Sequence, residues 1–330
     1  GGCTRTEDTD CPPRMRADSK DPGPARDKLA GLFLTDMANR TAPRRGNRTR
    51  SETCARVRRL HPLQRDGIMQ DKWTDGDAYE MYVGRWSRQT GKSFLSWIDA
   101  PHRFRWLDLG CGTGALTSRI LQDCDPVSVV GVEPSEGFLA LARRAIADDD
   151  RASFVQGTGE SIPVADGSLD VAVSGLVLNF IPEKLAAIAE LKRAVRDGGT
   201  VAAYVWDYSG HVQFMRYFWD AATALDPSAS DNDEGPRFPV CRPDPLAALF
   251  SEAGLTEVST APIDIVTPFA DFDDYWSPFL SGVGPAPGYC ASLDDTARQA
   301  LRDRLIETLP TDPDGMILLA ARAWAVRGRA

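Results

Sequence analysis

The sequence predicts an α/β fold in which seven strands build a mostly parallel sheet with helices on both faces. Three observations carry this reading. Short apolar runs alternate with segments of helical periodicity from residue 77 onward. The first apolar run ends in a glycine-rich turn that opens directly into a helix. Hydrophobic residues are 42% and charged residues 26% of 330, which is globular usage and excludes a wholly disordered or fibrous chain.

The elements follow in order. Residues 77–98 read as a helix, with Tyr79, Tyr82, Val83 and Trp86 on one side, then Phe94, Leu95 and Ile98. Residues 104–109 form a short buried strand, ending in Gly110-Cys111-Gly112-Thr113-Gly114, and a helix continues through Leu116, Ile120 and Leu121. A strand at 128–132 precedes a helix at 138–146, whose apolar positions 138, 139, 142 and 146 fit a 3.6 period. Short strands follow at 154–155 and 169–174. Leu185, Ile188, Leu191, Ala194 and Val195 mark a helix that stops at Gly198-Gly199, and residues 200–206 form the next strand. Asp244-Pro245 is a cap and first-turn pair for a helix over 245–253, stopped by Gly254. Strands at 256–267 and 316–326 flank an insertion, residues 268–315. It holds an aromatic segment at 272–280, a Gly/Pro loop at 282–288 and a helix at 294–309. Excursions of this length are often functional covers.

Residues 1–68 stand apart. They are poor in apolar residues, and seven arginines fall within residues 41–59. Such a segment cannot offset its ordering entropy, so a disordered or extraneous N-terminal extension is expected. Met69 reads as the natural start of a domain over residues 69–330.

Charge narrows the partners. Residues 1–70 carry 15 Lys and Arg against 9 Asp and Glu, whereas residues 71–330 carry 23 against 38. An acidic body lacks the basic footprint that nucleic acid needs, so a small molecule is the expected partner and nucleic acid is not. No stretch approaches the roughly 20 apolar residues of a membrane span, and the first 30 residues lack a signal-type apolar block. A cytoplasmic protein is expected. The seven cysteines are odd in number and contain no CxxC, and the three histidines are dispersed, so reduced thiols and no metal are expected.

The glycine turn carries the chemistry. Glycines remove Cβ atoms, letting the backbone take unusual dihedrals and a ligand lie against it, while the helix start offers free N–H groups. The spacing alone leaves two readings open. Gly110-x-Gly112-x-x-Ala115 fits the dinucleotide fingerprint, and Glu133 at the end of the second strand could hold the ribose of a nicotinamide cofactor.

Trp106-Leu-Asp-Leu-Gly-Cys-Gly-Thr-Gly114 closely resembles the first motif of class I S-adenosylmethionine-dependent methyltransferases. Gly131-Val-Glu-Pro-Ser135 resembles their second-strand end. Asp166-Gly-Ser-Leu-Asp170 with the following Val-Ala-Val-Ser174 resembles their fourth strand, and Asp197-Gly-Gly-Thr200 their turn into the fifth. Residues 75–80 and 84–87 resemble the entry segment of bacterial members. The likeness covers roughly residues 71–326 and is nearest to the ubiquinone/menaquinone-type small-molecule methyltransferases.

The resemblance implies a Rossmann-like sheet with an antiparallel terminal strand. It also implies transfer of a methyl group from S-adenosylmethionine to a small organic acceptor by in-line displacement. It places Gly110, Cys111, Gly112, Thr113 and Gly114 against the cofactor, with Asp108 at its methionine end. Glu133 would accept from the ribose hydroxyls, beside Pro134 and Ser135. Thr158, Gly159 and Glu160 would line the adenine, and Ser174 at the end of the fourth strand would also meet the cofactor. Thr158 departs from the usual pattern, which often has Asp there. No residue is compelled to be a general base; the candidates are Asn179 after the fourth strand and His211 after the fifth. Tyr79, Tyr82, Arg85 and Trp86 have two readings, a lid in which Arg85 meets the cofactor carboxylate or an amphipathic helix packing its aromatics. Tyr275, Trp276 and Phe279 either line an acceptor pocket or anchor the insertion. A nicotinamide-dependent oxidoreductase and a non-catalytic S-adenosylmethionine-binding protein are the competing functions.

Overall fold

A computed structural model describes residues 80–330. Tyr79, the entry segment before it and the N-terminal extension lie outside the described residues.

The sheet has the order β3-β2-β1-β4-β5-β7-β6. The strands are β1 (Arg105–Leu109), β2 (Ser128–Glu133), β3 (Ala152–Gln156), β4 (Leu169–Gly175), β5 (Val195–Trp206), β6 (Thr256–Phe269) and β7 (Ile317–Arg329). β1 to β5 pair in parallel, while β7 runs antiparallel to both β5 and β6. The antiparallel strand is thus the last in sequence but sits inside the sheet, and β6 forms that edge. Burial follows this placement. β4 and the second half of β5 are buried on both faces and read as continuous apolar runs. In β7, Ile317, Leu319 and Ala321 are buried while Leu318 and Ala320 face solvent.

Helices α1 (Arg85–Ile98), α2 (Ala115–Asp123), α3 (Glu136–Ala145) and α4 (Lys184–Ala194) cover the first half. A single π turn, Glu80–Gly84, precedes α1. After β5 come α5 (Gln213–Leu225), the short α6 (Glu234–Arg237) and α7 (Pro243–Glu252). Between β6 and β7 lie α8 (Phe272–Trp276), a 3-10 turn at Ser277–Leu280, α9 (Pro285–Ser292) and α10 (Asp295–Thr308). This segment is bolted to α5. The Phe218 and Phe279 rings stack at 4.4 Å and 8°, and the Tyr275 hydroxyl donates to the Phe214 carbonyl at 2.8 Å.

Four local expectations are corrected. The helix expected to stop at Gly198-Gly199 ends at Ala194, because Val195 already pairs with Leu169 and the glycines fall inside the irregular start of β5. There Gly198 has φ of +70° and donates to the Ala330 carbonyl. α7 starts at Pro243, after Arg242, so Asp244 falls inside the first turn instead of capping it. Residues 285–288, read as loop, start α9, since Pro285 and Pro287 occupy first-turn positions where a missing N–H costs nothing. No element is predicted between residues 206 and 245, yet α5 and α6 form there.

Candidate functional site

The carboxyl ends of β1, β2 and β4 bring the glycine turn, Glu133 and the residues after β4 around one cavity of about 410 Å³. The turn is built by backbone geometry. Gly110 and Cys111 both donate to the Val132 carbonyl, at 2.7 and 3.1 Å, which folds the end of β1 over β2. Gly110 has φ of +71°, and a Cβ there would lie 2.6 Å from Val177, so glycine is required for fit. Gly112 has φ of +52°, but a Cβ there would meet nothing within 4 Å. That backbone is an open cradle at the cavity wall.

Glu133 is buried and spans two backbone donors. Oε2 accepts from Gly112 at 3.2 Å and Oε1 from Ser135 at 3.1 Å. Burial raises its carboxyl above the ordinary range, and these two N–H groups partly oppose that. Ser135 also caps α3, its hydroxyl accepting from the Phe138 N–H.

Asp108, at 1% exposure, stands behind the turn. Thr117 donates its hydroxyl to Oδ2 at 2.7 Å. Burial pushes the Asp108 carboxyl up to about 7, against the hydrogen bonds from Thr117 that lower it. Asp108 and Cys111 line a second, small cavity of about 40 Å³ that shares Gly110 and Leu176 with the large one. Burial also pushes the Cys111 thiol well up, so it is no nucleophile here.

Of the residues expected from sequence, Gly110, Gly112, Thr113, Glu133, Pro134, Thr158, Gly159 and Glu160 line the large cavity together. Gly114 serves as the N-cap of α2, and Ser174 is fully buried in β4; neither lines it.

Several expectations are not met by position. His211 does not line the cavity; its half-exposed ring meets Oδ2 of Asp207 at 3.0 Å through Nδ1. Asn179 is buried beside the cavity wall residues but outside its lining, without a side-chain partner among the described residues. Arg85 does not reach the cavity, because it pairs with Asp274 at 2.8 Å and lies over the Trp86 and Phe269 rings. Trp86 packs edge-on against Phe269, and Trp276 stacks on Phe272. Trp86 thus ties α1 to β6 and Trp276 packs within the insertion, and neither lines the cavity.

Sequence reasoning missed the other half of the lining. Trp206 and Tyr208 at the end of β5, Met215 of α5, Glu234 of α6 and Pro285 of α9 all face the cavity. The position of Trp206 and Tyr208 just past a central strand was the available signal. Glu234 had none, since it closes an ordinary acidic surface-like run, 231–234.

Residues 107–203 match the family model described as a methyltransferase domain. Over those residues the chain is similar to methyltransferases. It is similar to an arsenite methyltransferase of Halobacterium salinarum, 33% identical over 171 residues, 51% of this chain and 41% of that protein. It is also similar to a demethylmenaquinone methyltransferase of Staphylococcus aureus, 31% identical over 96 residues, 29% of this chain and 40% of that protein. The chain thus spans about two fifths of the length of these relatives. A solved structure from Anabaena variabilis, described as a candidate methyltransferase from an antibiotic biosynthesis pathway, shares the fold. Its TM-score is 0.50 at 17% identity, over 73% of this chain and 97% of that one.

The residues present fit S-adenosylmethionine. The open backbone cradle at Gly112 and the inward carboxylate of Glu133 suit a ribose, and buried Asp108 suits an ammonium. Among the described residues no helix is long and apolar enough to cross a membrane.

Proposed function

We propose that this protein transfers the methyl group of S-adenosylmethionine to a small organic acceptor by in-line displacement. The observation that carries the reading is the continuity of one cavity from Glu133 and Gly112 to Trp206, Met215 and Glu234. A donor held at the first group would share a water-poor space with an acceptor held at the second.

The bound sulfonium supplies an activated methyl whose leaving group departs neutral. The chain's own task is therefore placement, which brings nucleophile and methyl to about 3–3.5 Å in line. Glu133 orients the ribose. The Gly112 backbone admits it closely. Asp108 holds the amino end, and Thr158 to Glu160 flank the base. Leu176, Val177 and Ile181 exclude water from the joining section of the cavity. The acidic body favours a small molecule over nucleic acid.

Methyl-labelled S-adenosylmethionine incubated with the protein and a metabolite extract tests the reading. Label appearing in a small product supports it. Retention without transfer favours a binding protein, and hydride exchange with a nicotinamide cofactor favours an oxidoreductase.

A further inference from the structure

Resting on the methyl-transfer reading, we infer that Glu234 receives the nucleophile of a largely apolar acceptor bearing an N–H or O–H group, and takes its proton as the methyl is transferred. Glu234 opens α6, whose start is fixed by Asp233 capping Gly235 at 2.9 Å. Asp233 is in turn clamped by both Nη atoms of Arg216, at 2.8 and 2.6 Å. The nearby guanidinium is therefore committed to Asp233. Glu234 itself forms no ion pair among the described residues; Oε2 accepts from the Trp219 indole at 2.5 Å.

A carboxylate at 2% exposure that feels the charges of Arg237 and Arg216 but makes no ion pair with a described residue is a costly arrangement unless something supplies a proton or a closer positive charge. Glu234 lines the large cavity, so an occupant can supply it. Burial also pushes its carboxyl up to about 7, a range suited to exchanging a proton near neutrality. Near it, two of the buried groups without partners among the described residues are the indole N–H of Trp206, which lines the cavity, and the hydroxyl of Tyr82, which feels the Glu234 charge. The remaining wall here is apolar, with Val83, Phe180, Met215 and Pro285. One acidic group in such a wall selects an apolar body with a single proton-bearing heteroatom.

In the step, the heteroatom lone pair forms the new bond to the methyl carbon. The C–S electron pair returns to sulfur, giving the neutral thioether, and the heteroatom's proton passes to the Glu234 carboxylate. No oxidant or reductant is needed.

The test uses the whole chain saturated with S-adenosylhomocysteine. Calorimetry compares 2-naphthol and 2-phenylethylamine with 2-methoxynaphthalene, which lacks the donor. At least one donor-bearing probe should bind ten-fold or more tightly than the ether, and Glu234→Gln should erase the difference. With S-adenosylmethionine, methyl transfer to that probe should fall about 100-fold or more in Glu234→Gln. The two probes separate hydroxyl from amine acceptors. Equal affinities, a preference that survives the substitution, no probe binding, or transfer that is absent or undiminished overturns the inference. Failure of S-adenosylhomocysteine itself to bind overturns the underlying methyl-transfer reading instead, and its retained binding to Glu234→Gln shows that the variant is folded.

Discussion

The backbone N–H of Gly112 donates to Oε2 of Glu133 across 3.2 Å, so the turn after β1 and the end of β2 are held by the carboxylate that faces the cavity. The same side chain accepts from Ser135, which starts α3. One residue therefore shapes the cradle and presents its recognition group.

Glu133→Ala should weaken S-adenosylhomocysteine binding by about 1–3 kcal/mol, through lost hydrogen bonds to the ligand and a looser turn. Calorimetry reads the change. Unaltered affinity would mean that this carboxylate does not meet the ribose.

The two cradle glycines should respond differently. Gly110→Ala forces a Cβ to 2.6 Å from Val177 at positive φ, so it should cost about 1–3 kcal/mol of stability, seen as a lower melting temperature. Gly112→Ala meets no protein atom within 4 Å, so beyond a modest strain at positive φ its main effect should be on ligand affinity. A Gly112→Ala protein that melts far lower than Gly110→Ala would contradict this division.

Asp108 makes the ligand-free protein less stable as pH rises. Its folded carboxyl sits at about 7, raised by burial, while an unfolded aspartate titrates near 4. Between those values the folded state keeps a proton that the unfolded chain has released. The contribution is therefore fully present below pH ~4 and lost by pH ~7, on the order of 4 kcal/mol. Glu234 acts in the same direction. Urea midpoints should be higher at pH 5 than at pH 7.5, and Asp108→Asn should flatten part of that slope. An unchanged slope in the variant would remove Asp108 as its source.

The Arg216–Asp233 clamp holds α6 against α5. Both side chains are mostly buried, so Asp233→Ala leaves a guanidinium unpaired and should cost about 3 kcal/mol. Thermal unfolding measures it; a loss under 1 kcal/mol would show that Glu234 is positioned by other contacts.

Much of this arrangement was legible in the sequence, and the reasons are local. Strands β1, β2 and β4 are apolar runs ending at glycine or acid, so their ends, and with them Gly110, Gly112 and Glu133, could be placed directly. Thr158, Gly159 and Glu160 were implied by the family resemblance alone. The acceptor half of the cavity was not legible. Glu234 and Met215 reach it only through the packing of α5 and α6, which depends on contacts such as Phe218 on Phe279, far apart in sequence. Arg85 was misplaced for the same reason: its partner Asp274 lies 189 residues away. The insertion's aromatics left pocket lining and anchoring open in the sequence, because their spacing serves both, and Trp276 packs on Phe272.

The most direct measurement is calorimetric titration of the folded protein with S-adenosylhomocysteine, repeated on Glu133→Ala and with a nicotinamide dinucleotide as competitor. The account predicts one saturable site, weakened in the variant and indifferent to the dinucleotide. Saturation of the same cavity by the dinucleotide, with no heat from the nucleoside, would contradict it.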